Sequence, residues 1–195
     1  MEEIQEKKRE IRNEMIKFLS SIPEKKREQM TKAIEDRLFE FANFLEANIS
    51  LLYMNGKYEV ATREIINRTL KYNKIVVLPA FDMEKRKVRL MKVDNLDTNL
   101  IMGPKGVLEP DENKCKKVPI ECIDIAIIPG IAFDEKGARI GTGTGFYDRL
   151  IPDLPITTRK VSLAFESQIL PQVPMESHDK HVDIIITEKR IIYKI

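Results

Sequence analysis

Five apolar runs of strand length constrain this chain more than any other feature. They occupy residues 49–54, 74–78, 123–128, 161–165 and 182–187, and they are continuous rather than alternating. A strand that is apolar on both sides must be covered on both faces, and that is the habit of parallel sheets in α/β proteins. The intervening sequence supplies cover. Residues 60–72 read as a helix with Ile65, Ile66 and Leu70 on one side. Residues 2–19 hold no Pro or Gly and read as a first helix. Ser21 with Glu24 three residues on marks a capping box for a second helix reaching about residue 47. Residues 88–93 alternate, and 190–193 form a last short strand. The expectation is a mostly parallel sheet with helices on it, binding its ligand beyond the carboxyl ends of the strands.

Length and charge narrow the rest. At 195 residues the chain is expected to form one domain over 1–195, with helices in 2–47 packing on it. The 33 basic and 31 acidic residues nearly cancel, which argues against a protein that binds nucleic acid through bulk charge. Cys115 and Cys122 match no zinc spacing and read as two separate thiols. No apolar run nears the roughly 20 residues that a membrane span needs. The charged N-terminus has no apolar core after it, so no signal peptide is read and a cytoplasmic location is expected.

The first run at a carboxyl edge to be followed by unusual chemistry ends at Pro129-Gly130. From there the chain reads Pro129-Gly130-Ile131-Ala132-Phe133-Asp134-Glu135-Lys136-Gly137-Ala138-Arg139-Ile140-Gly141-Thr142-Gly143-Thr144-Gly145-Phe146-Tyr147-Asp148-Arg149-Leu150. Five of the eight glycines lie here. Alternating glycines let a backbone approach an anion and aim N–H groups at it, although a flexible loop or a tight hairpin has the same spacing. It is neither a Walker loop nor a dinucleotide fingerprint. A helix is expected to start near Gly145, its N-terminal dipole favouring phosphate. Arg139 precedes the loop. Asp148 follows it, placed either to hold Mg²⁺ against the same phosphates or simply to sit as a first-turn helix charge.

A second signal lies far away in sequence. Ile4, Ile11, Met15 and Phe18 share one helical stripe, and Lys8 falls within it, with Arg12 one turn on. A lysine there must snorkel, meet a carboxylate, or reach an anionic ligand. Glu59, after the Asn55-Gly56 turn, is placed to contact a substrate or to cap the next helix. Asp179 is a second candidate metal ligand in a polar loop with His178 and His181.

Taken together, the run from Pro129 to Leu150, the Lys8-to-Arg12 segment and the late Gln-Val-Pro before Asp179 resemble the 5-formyltetrahydrofolate cyclo-ligase (methenyltetrahydrofolate synthetase) family over nearly the whole chain. The resemblance implies a three-layer α/β/α sandwich like that of sugar-phosphate isomerases and CoA transferases. It implies conversion of 5-formyltetrahydrofolate and ATP to 5,10-methenyltetrahydrofolate, ADP and phosphate with Mg²⁺, by phosphorylation of the formyl oxygen and attack by N10. It places ATP against Lys8, Arg12 and the segment Arg139, Ile140, Gly141, Thr142, Gly143, Thr144, Gly145, Phe146 and Tyr147. Arg139 and Tyr147 are the residues it puts at the chemistry. Substrate falls to Met54, Glu59 and Thr142 through Phe146, and metal to Asp148 and Asp179. A monomer acting on a small molecule, without nucleic acid or membrane, is expected. Some relatives carry basic residues where this chain has Thr142 and Thr144. Rival readings are an ATP-dependent ligase on another pterin or one-carbon substrate, a non-catalytic nucleotide-binding module, and an RNA-binding protein using the basic N-terminal helix. That helix also carries Glu2, Glu3, Glu6, Glu10 and Glu14, which counts against RNA.

Overall fold

A computed structural model describes residues 2–194. In chain order the elements are α1 (Glu2–Ser21), α2 (Glu24–Leu38), α3 (Ala42–Glu46), β1 (Ile49–Leu51), α4 (Arg63–Lys71), β2 (Ile75–Asp82), β3 (Lys87–Val93), β4 (Leu100–Met102) and β5 (Leu108–Pro110). They continue as β6 (Lys116–Lys117), β7 (Ile125–Ile127), β8 (Ala132–Asp134), β9 (Arg139–Ile140), α5 (Phe146–Leu150), β10 (Arg159–Leu163), β11 (Ile169–Leu170), β12 (Ile184–Ile186) and β13 (Ile191–Tyr193).

The five continuous apolar runs become the parallel centre of an eight-stranded sheet, ordered β13-β12-β10-β7-β1-β2-β3-β6. β12, β10, β7, β1 and β2 pair in parallel, while β13, β3 and β6 pair antiparallel at the two edges. The alternation of side chains explains the apolar continuity. Leu52, Val76, Leu78, Ile125 and Ile127 belong to a core beneath α1, α2, α3 and α4. Leu51, Val77, Ala126 and Ile128 belong to a core on the other face, with Tyr147 and Leu150 of α5. The three layers are therefore present, but unequal. Four helices cover one face, and the other is closed by the short α5 and the segment carrying Ile151 and Leu154.

Strand order places a topological switch point. The chain passes from β1 through α4 to β2 on one side, and later lays β7 on the opposite side of β1. The carboxyl ends of β7, β1 and β2 are the place where such sheets hold ligands. Pro79 sharpens this opening. A proline reads as the end of the apolar run at 74–78, yet β2 continues through it to Asp82, pairing with β3. Leu52 N–H donates to the Val77 carbonyl at 2.9 Å, so Val77 faces β1. By alternation the Pro79 nitrogen faces the same side, where β1 has already ended. The missing N–H therefore costs no ladder bond, and a gap opens between β2 and β7.

Several helix boundaries differ from the sequence reading. The expected single helix to residue 47 is broken between Leu38 and Ala42. No Gly or Pro marks the break. Phe39 is instead held edge-on to Phe44, at 5.2 Å between ring centroids, and stacked on Tyr72 at 5.6 Å. The capping box is absent: Pro23 is the N-cap of α2, and Ser21 Oγ donates back to the Phe18 carbonyl at 2.6 Å. The helix expected over 60–72 starts at Arg63. Leu19, not Phe18, continues the buried stripe of α1, and Phe18 is half exposed. Cys115 is buried and Cys122 exposed, both free. Among the described residues no helix is long and apolar enough to cross a membrane.

Candidate active site

A cleft of about 770 Å³ lies at the switch point. Its walls bring together segments separated by nearly the whole chain: α1, residues 53–59 after β1, the end of β2, the β4–β5 turn, residues 139–148, and the loop holding His178 and Asp179. Every residue singled out from the sequence as a site residue lines it, from Lys8 and Arg12 through Met54 and Glu59 to Arg139, the loop, Asp148 and Asp179.

The glycine-rich loop is held open by two arginines. Arg12 Nε donates to the Gly141 carbonyl at 2.9 Å, and Arg149 Nη2 donates to the Thr144 carbonyl at 3.0 Å. The backbone takes left-handed conformations at Gly143 (φ 99°), between those two carbonyls, and at Gly145 (φ 67°), just beyond them, which side-chain-bearing residues adopt only with strain. These brackets occupy two of the loop's carbonyls, those of Gly141 and Thr144. α5 starts at Phe146 as expected, but it is only five residues long. Its dipole is correspondingly small, which leaves the loop N–H groups and nearby cations as the groups able to meet an anion.

Arg139 is placed by the β8–β9 hairpin. Asp134 shapes that hairpin by accepting the N–H groups of Lys136 (3.0 Å), Ala138 (3.1 Å) and Val173 (2.9 Å). Arg139 is 4% exposed, and its guanidinium donates to the Pro129 carbonyl at 3.2 Å and pairs with Asp148 Oδ1 at 2.9 Å. Its Nε is buried without a partner. Burial pulls the guanidinium below its ordinary pKa, against the opposing pull of Asp148, but an arginine stays charged. Tyr147 is buried beside it. Desolvation, reinforced by Glu59, drives its phenol far above the ordinary value, so Tyr147 can act only as a neutral hydroxyl.

Lys8 meets carboxylates. Its ammonium bonds Glu176 Oε2 at 2.9 Å and Asp179 Oδ2 at still closer range, and Gln5 also donates to Glu176. Burial pushes the Asp179 carboxyl up, but the Glu176 N–H and Lys8 overcome this and hold it below its usual value. Glu176, His178 and Asp179 each present one ligand atom within 4.8 Å of the others. Glu176 escaped the sequence reading because nothing local marks it. Only the fold carries it to Lys8, 168 residues away in sequence.

Glu59 lines the same cleft. It does not cap α4. Glu59 Oε2 instead accepts the Gly56 N–H at 2.7 Å, folding the 53–59 segment back on itself. Burial raises its carboxyl above the ordinary value, partly offset by that N–H, Lys105 and Arg139. Tyr53, Phe81 and Phe146 supply the apolar walls, the last two with ring centroids 4.9 Å apart. Tyr53, Phe81 and Lys105 were not singled out beforehand. Tyr53 adjoins the chosen Met54, but Lys105 lies in a Gly103–Gly106 turn that the sequence marks only as a turn.

A protein-family model described as the 5-formyltetrahydrofolate cyclo-ligase family matches residues 4–188. The chain belongs to that family. Among curated relatives, a 5-formyltetrahydrofolate cyclo-ligase of Mus musculus is 24% identical over 93% of each chain. A probable one of Schizosaccharomyces pombe is 32% identical over 74% of this chain and 76% of its own. The solved structure of Aquifex aeolicus 5,10-methenyltetrahydrofolate synthetase superposes with a TM-score of 0.84 at 29% identity, covering 95% of this chain and 92% of that one. A Mycoplasma pneumoniae 5,10-methenyltetrahydrofolate synthetase shares the fold, with a TM-score of 0.75 at 18% identity. The mixed α/β sheet described above is thus the cyclo-ligase fold.

Proposed function

We propose that the cleft converts 5-formyltetrahydrofolate to 5,10-methenyltetrahydrofolate at the expense of ATP, as the family's name and the chemistry of the cleft lining both support. The observation that carries the reading is one cavity lined both by a cationic glycine loop and by a buried carboxylate, Glu59, with aromatic side chains. Phosphates suit the first: loop N–H groups, Lys8, Arg12 and Arg139. A pterin suits the second: a flat ring system against Tyr53, Phe81 and Phe146, with its N–H donors turned to Glu59. Met54 adjoins Tyr53, and Thr142 through Phe146 lie between the two ligands. Thr142 and Thr144 bring no charge, and Arg12 and Arg149 bracketing the loop supply positive charge beside them.

The formyl group on N5 is amide-like, a poor electrophile whose oxygen leaves poorly. Transfer of the γ-phosphoryl group to that oxygen creates a phosphate leaving group and releases ADP. The N10 nitrogen then bonds to the formyl carbon, its proton is lost, and the C–O bond breaks to give inorganic phosphate and the cyclic methenyl product. The protein's part is alignment and charge neutralisation. Arg139, already desolvated and anchored by Asp148, stands ready for charge developing on the transferred group. Tyr147, held neutral, can donate a hydrogen bond but cannot take a proton.

Mg²⁺ fits the residues present. Asp179 has Glu176 and His178 close enough to share an ion, and Asp148, paired with Arg139 and outside that group, adds a further carboxylate of the hard kind this ion prefers. The ion would supply charge compensation between phosphate oxygens. The Lys8 ammonium sits against Asp179 and Glu176 and compensates their charge. Because it carries three N–H donors, it can share itself with an incoming phosphate. The test is direct. Enzyme, MgATP and 5-formyltetrahydrofolate should together produce the methenyl-folate absorbance, and omission of any one should abolish it. Absence of product from the complete mixture refutes the proposal.

A further inference from the structure

The glycine loop has a support that stands outside the cleft. Two glycines with positive φ lie within residues 141–145, and glycine loses more conformational freedom on ordering than any other residue. Such a loop keeps one shape only if something holds its backbone. Arg12 holds the Gly141 carbonyl from α1. Arg149 holds the Thr144 carbonyl, and its other contacts show what the loop is tied to.

Arg149 lies in the last turn of α5. A basic residue there ordinarily serves the carboxyl end of its own helix. This one turns the other way. Nη2 donates to the Thr144 carbonyl at 3.0 Å, and Nε donates to the Arg86 carbonyl at 3.2 Å, 63 residues away in sequence. The guanidinium carbon lies 5.1 Å from the centre of the Phe146 ring. Gly145 leaves room for this arrangement, since a Cβ there would come within 3.0 Å of Nη1. Arg149 is exposed and does not line the cleft, whose lining in this stretch stops at Asp148. Its route to a ligand is through the Thr144 backbone.

The far end of the bridge is firmly built. β2 and β3 pair without interruption from Val76↔Val93 to Asp82↔Lys87. In the turn between them, Asp82 Oδ1 accepts the Lys85 N–H at 2.9 Å. Arg86 completes the turn in a left-handed conformation, φ 51°, which is uncommon for a residue with a side chain. The same hairpin meets α5 within the cleft, where the Phe81 and Phe146 rings lie 4.9 Å apart. The hairpin therefore touches the end of the loop at two points, one through aromatic rings and one through Arg149.

We propose that Arg149 is a positioning residue for ATP: its guanidinium ties the Thr144 carbonyl to the Arg86 carbonyl, so that the β2–β3 hairpin holds the glycine loop in its phosphate-binding shape. This rests on the reading that ATP phosphates bind at the loop. It goes beyond that reading by giving a residue outside the cleft, and a hairpin turn, a part in nucleotide affinity.

The test compares wild type, Arg149→Met and Arg149→Lys. Methionine keeps an apolar stem on Phe146 and removes both donors. Lysine keeps the charge, but one ammonium lacks the fixed fork that spans two carbonyls. Both variants should raise KM for ATP about fivefold, the loss expected for one hydrogen-bonded tether. Their kcat and KM for 5-formyltetrahydrofolate should stay within about twofold, the pattern of weakened binding without a changed chemical step. In the protein without ligands, backbone amide relaxation should show Gly143, Thr144 and Gly145 losing order in both variants, while β2 and β3 keep theirs. Wild-type ATP affinity and an equally ordered loop in Arg149→Met overturn the proposal. Restoration of the wild-type KM by Arg149→Lys overturns it too, because charge alone would then suffice. So does a lowered melting temperature with kcat and both KM values impaired together, which would make Arg149 a general stabiliser. A disordered loop with unchanged ATP affinity would uphold the tether and refute the placement of phosphate at the loop.

Discussion

Single side chains in this cleft carry more than one duty, and their substitution should show it. Lys8 pairs with Glu176 and Asp179 while standing where phosphate is expected. Lys8→Ala should raise KM for ATP by about tenfold or more. It should also return the Asp179 carboxyl toward, or above, its ordinary pKa, because burial would then act with less opposition. NMR titration of the side-chain carboxyls checks the second effect, and an unmoved Asp179 would deny the pairing. Glu59 gives a pH signature. Its carboxyl is raised by burial, so the proton leaves at a higher pH than from an exposed glutamate. The ionised form is the one that accepts pterin N–H groups. The acid limb of kcat/KM should therefore rise with pH through a value above the usual glutamate range, and Glu59→Gln should flatten that limb while lowering kcat/KM about tenfold. Residue-scale legibility was uneven. Lys8 announced itself because a charge on an apolar stripe demands a partner. Glu176 and Lys105 did not, because a polar residue in a turn looks the same whether it meets solvent or a cleft.

At the scale of elements, the strands were legible and the helix ends were not. Continuous Val/Ile/Leu runs have few alternatives in a chain this polar, and all five became parallel strands. The break after Leu38 depends on Phe39, Phe44 and Tyr72 meeting in space, which no local pattern reveals. Pro79 misled for the opposite reason. It reads as a strand terminator, but β1 ends early and frees that side of β2. The glycine loop was legible as a loop, while its bracing by Arg12 and Arg149 was visible only once folded. The loop also gives a test. Gly143→Ala forces a side chain into a backbone with φ 99°, costing ~1–2 kcal/mol of strain or a changed loop path. ATP affinity should fall while KM for the folate changes less, and a thermal melt should drop by a few degrees. Full ATP affinity in that variant would mean the loop backbone does not hold the phosphates.

At the scale of the molecule, the sheet's switch point explains why residues from both ends of the chain share one cavity. α1 brings Lys8 and Arg12, β1 delivers the Glu59 segment, and β7 leads through a hairpin into the loop. Each contribution comes from an element fixed by the core beneath it, and the site is pre-assembled apart from the Lys8 pairing. Asp148→Asn should expose the remaining dependence. Asp148 anchors the buried Arg139 as well as being placed for the metal, so the variant should lose both Mg²⁺ affinity and kcat, by about 10²-fold in kcat. Retention of normal Mg²⁺ dependence would remove Asp148 from the metal site.

The central claim is that this cleft joins the formyl oxygen of a folate to the γ-phosphorus of ATP. Single-turnover reaction of 5-formyltetrahydrofolate carrying ¹⁸O in its formyl group, followed by mass analysis of the inorganic phosphate, tests it most directly. The mechanism predicts one ¹⁸O in each phosphate released, in step with methenyl-folate and ADP. Unlabelled phosphate, with the ¹⁸O lost to water, would contradict it.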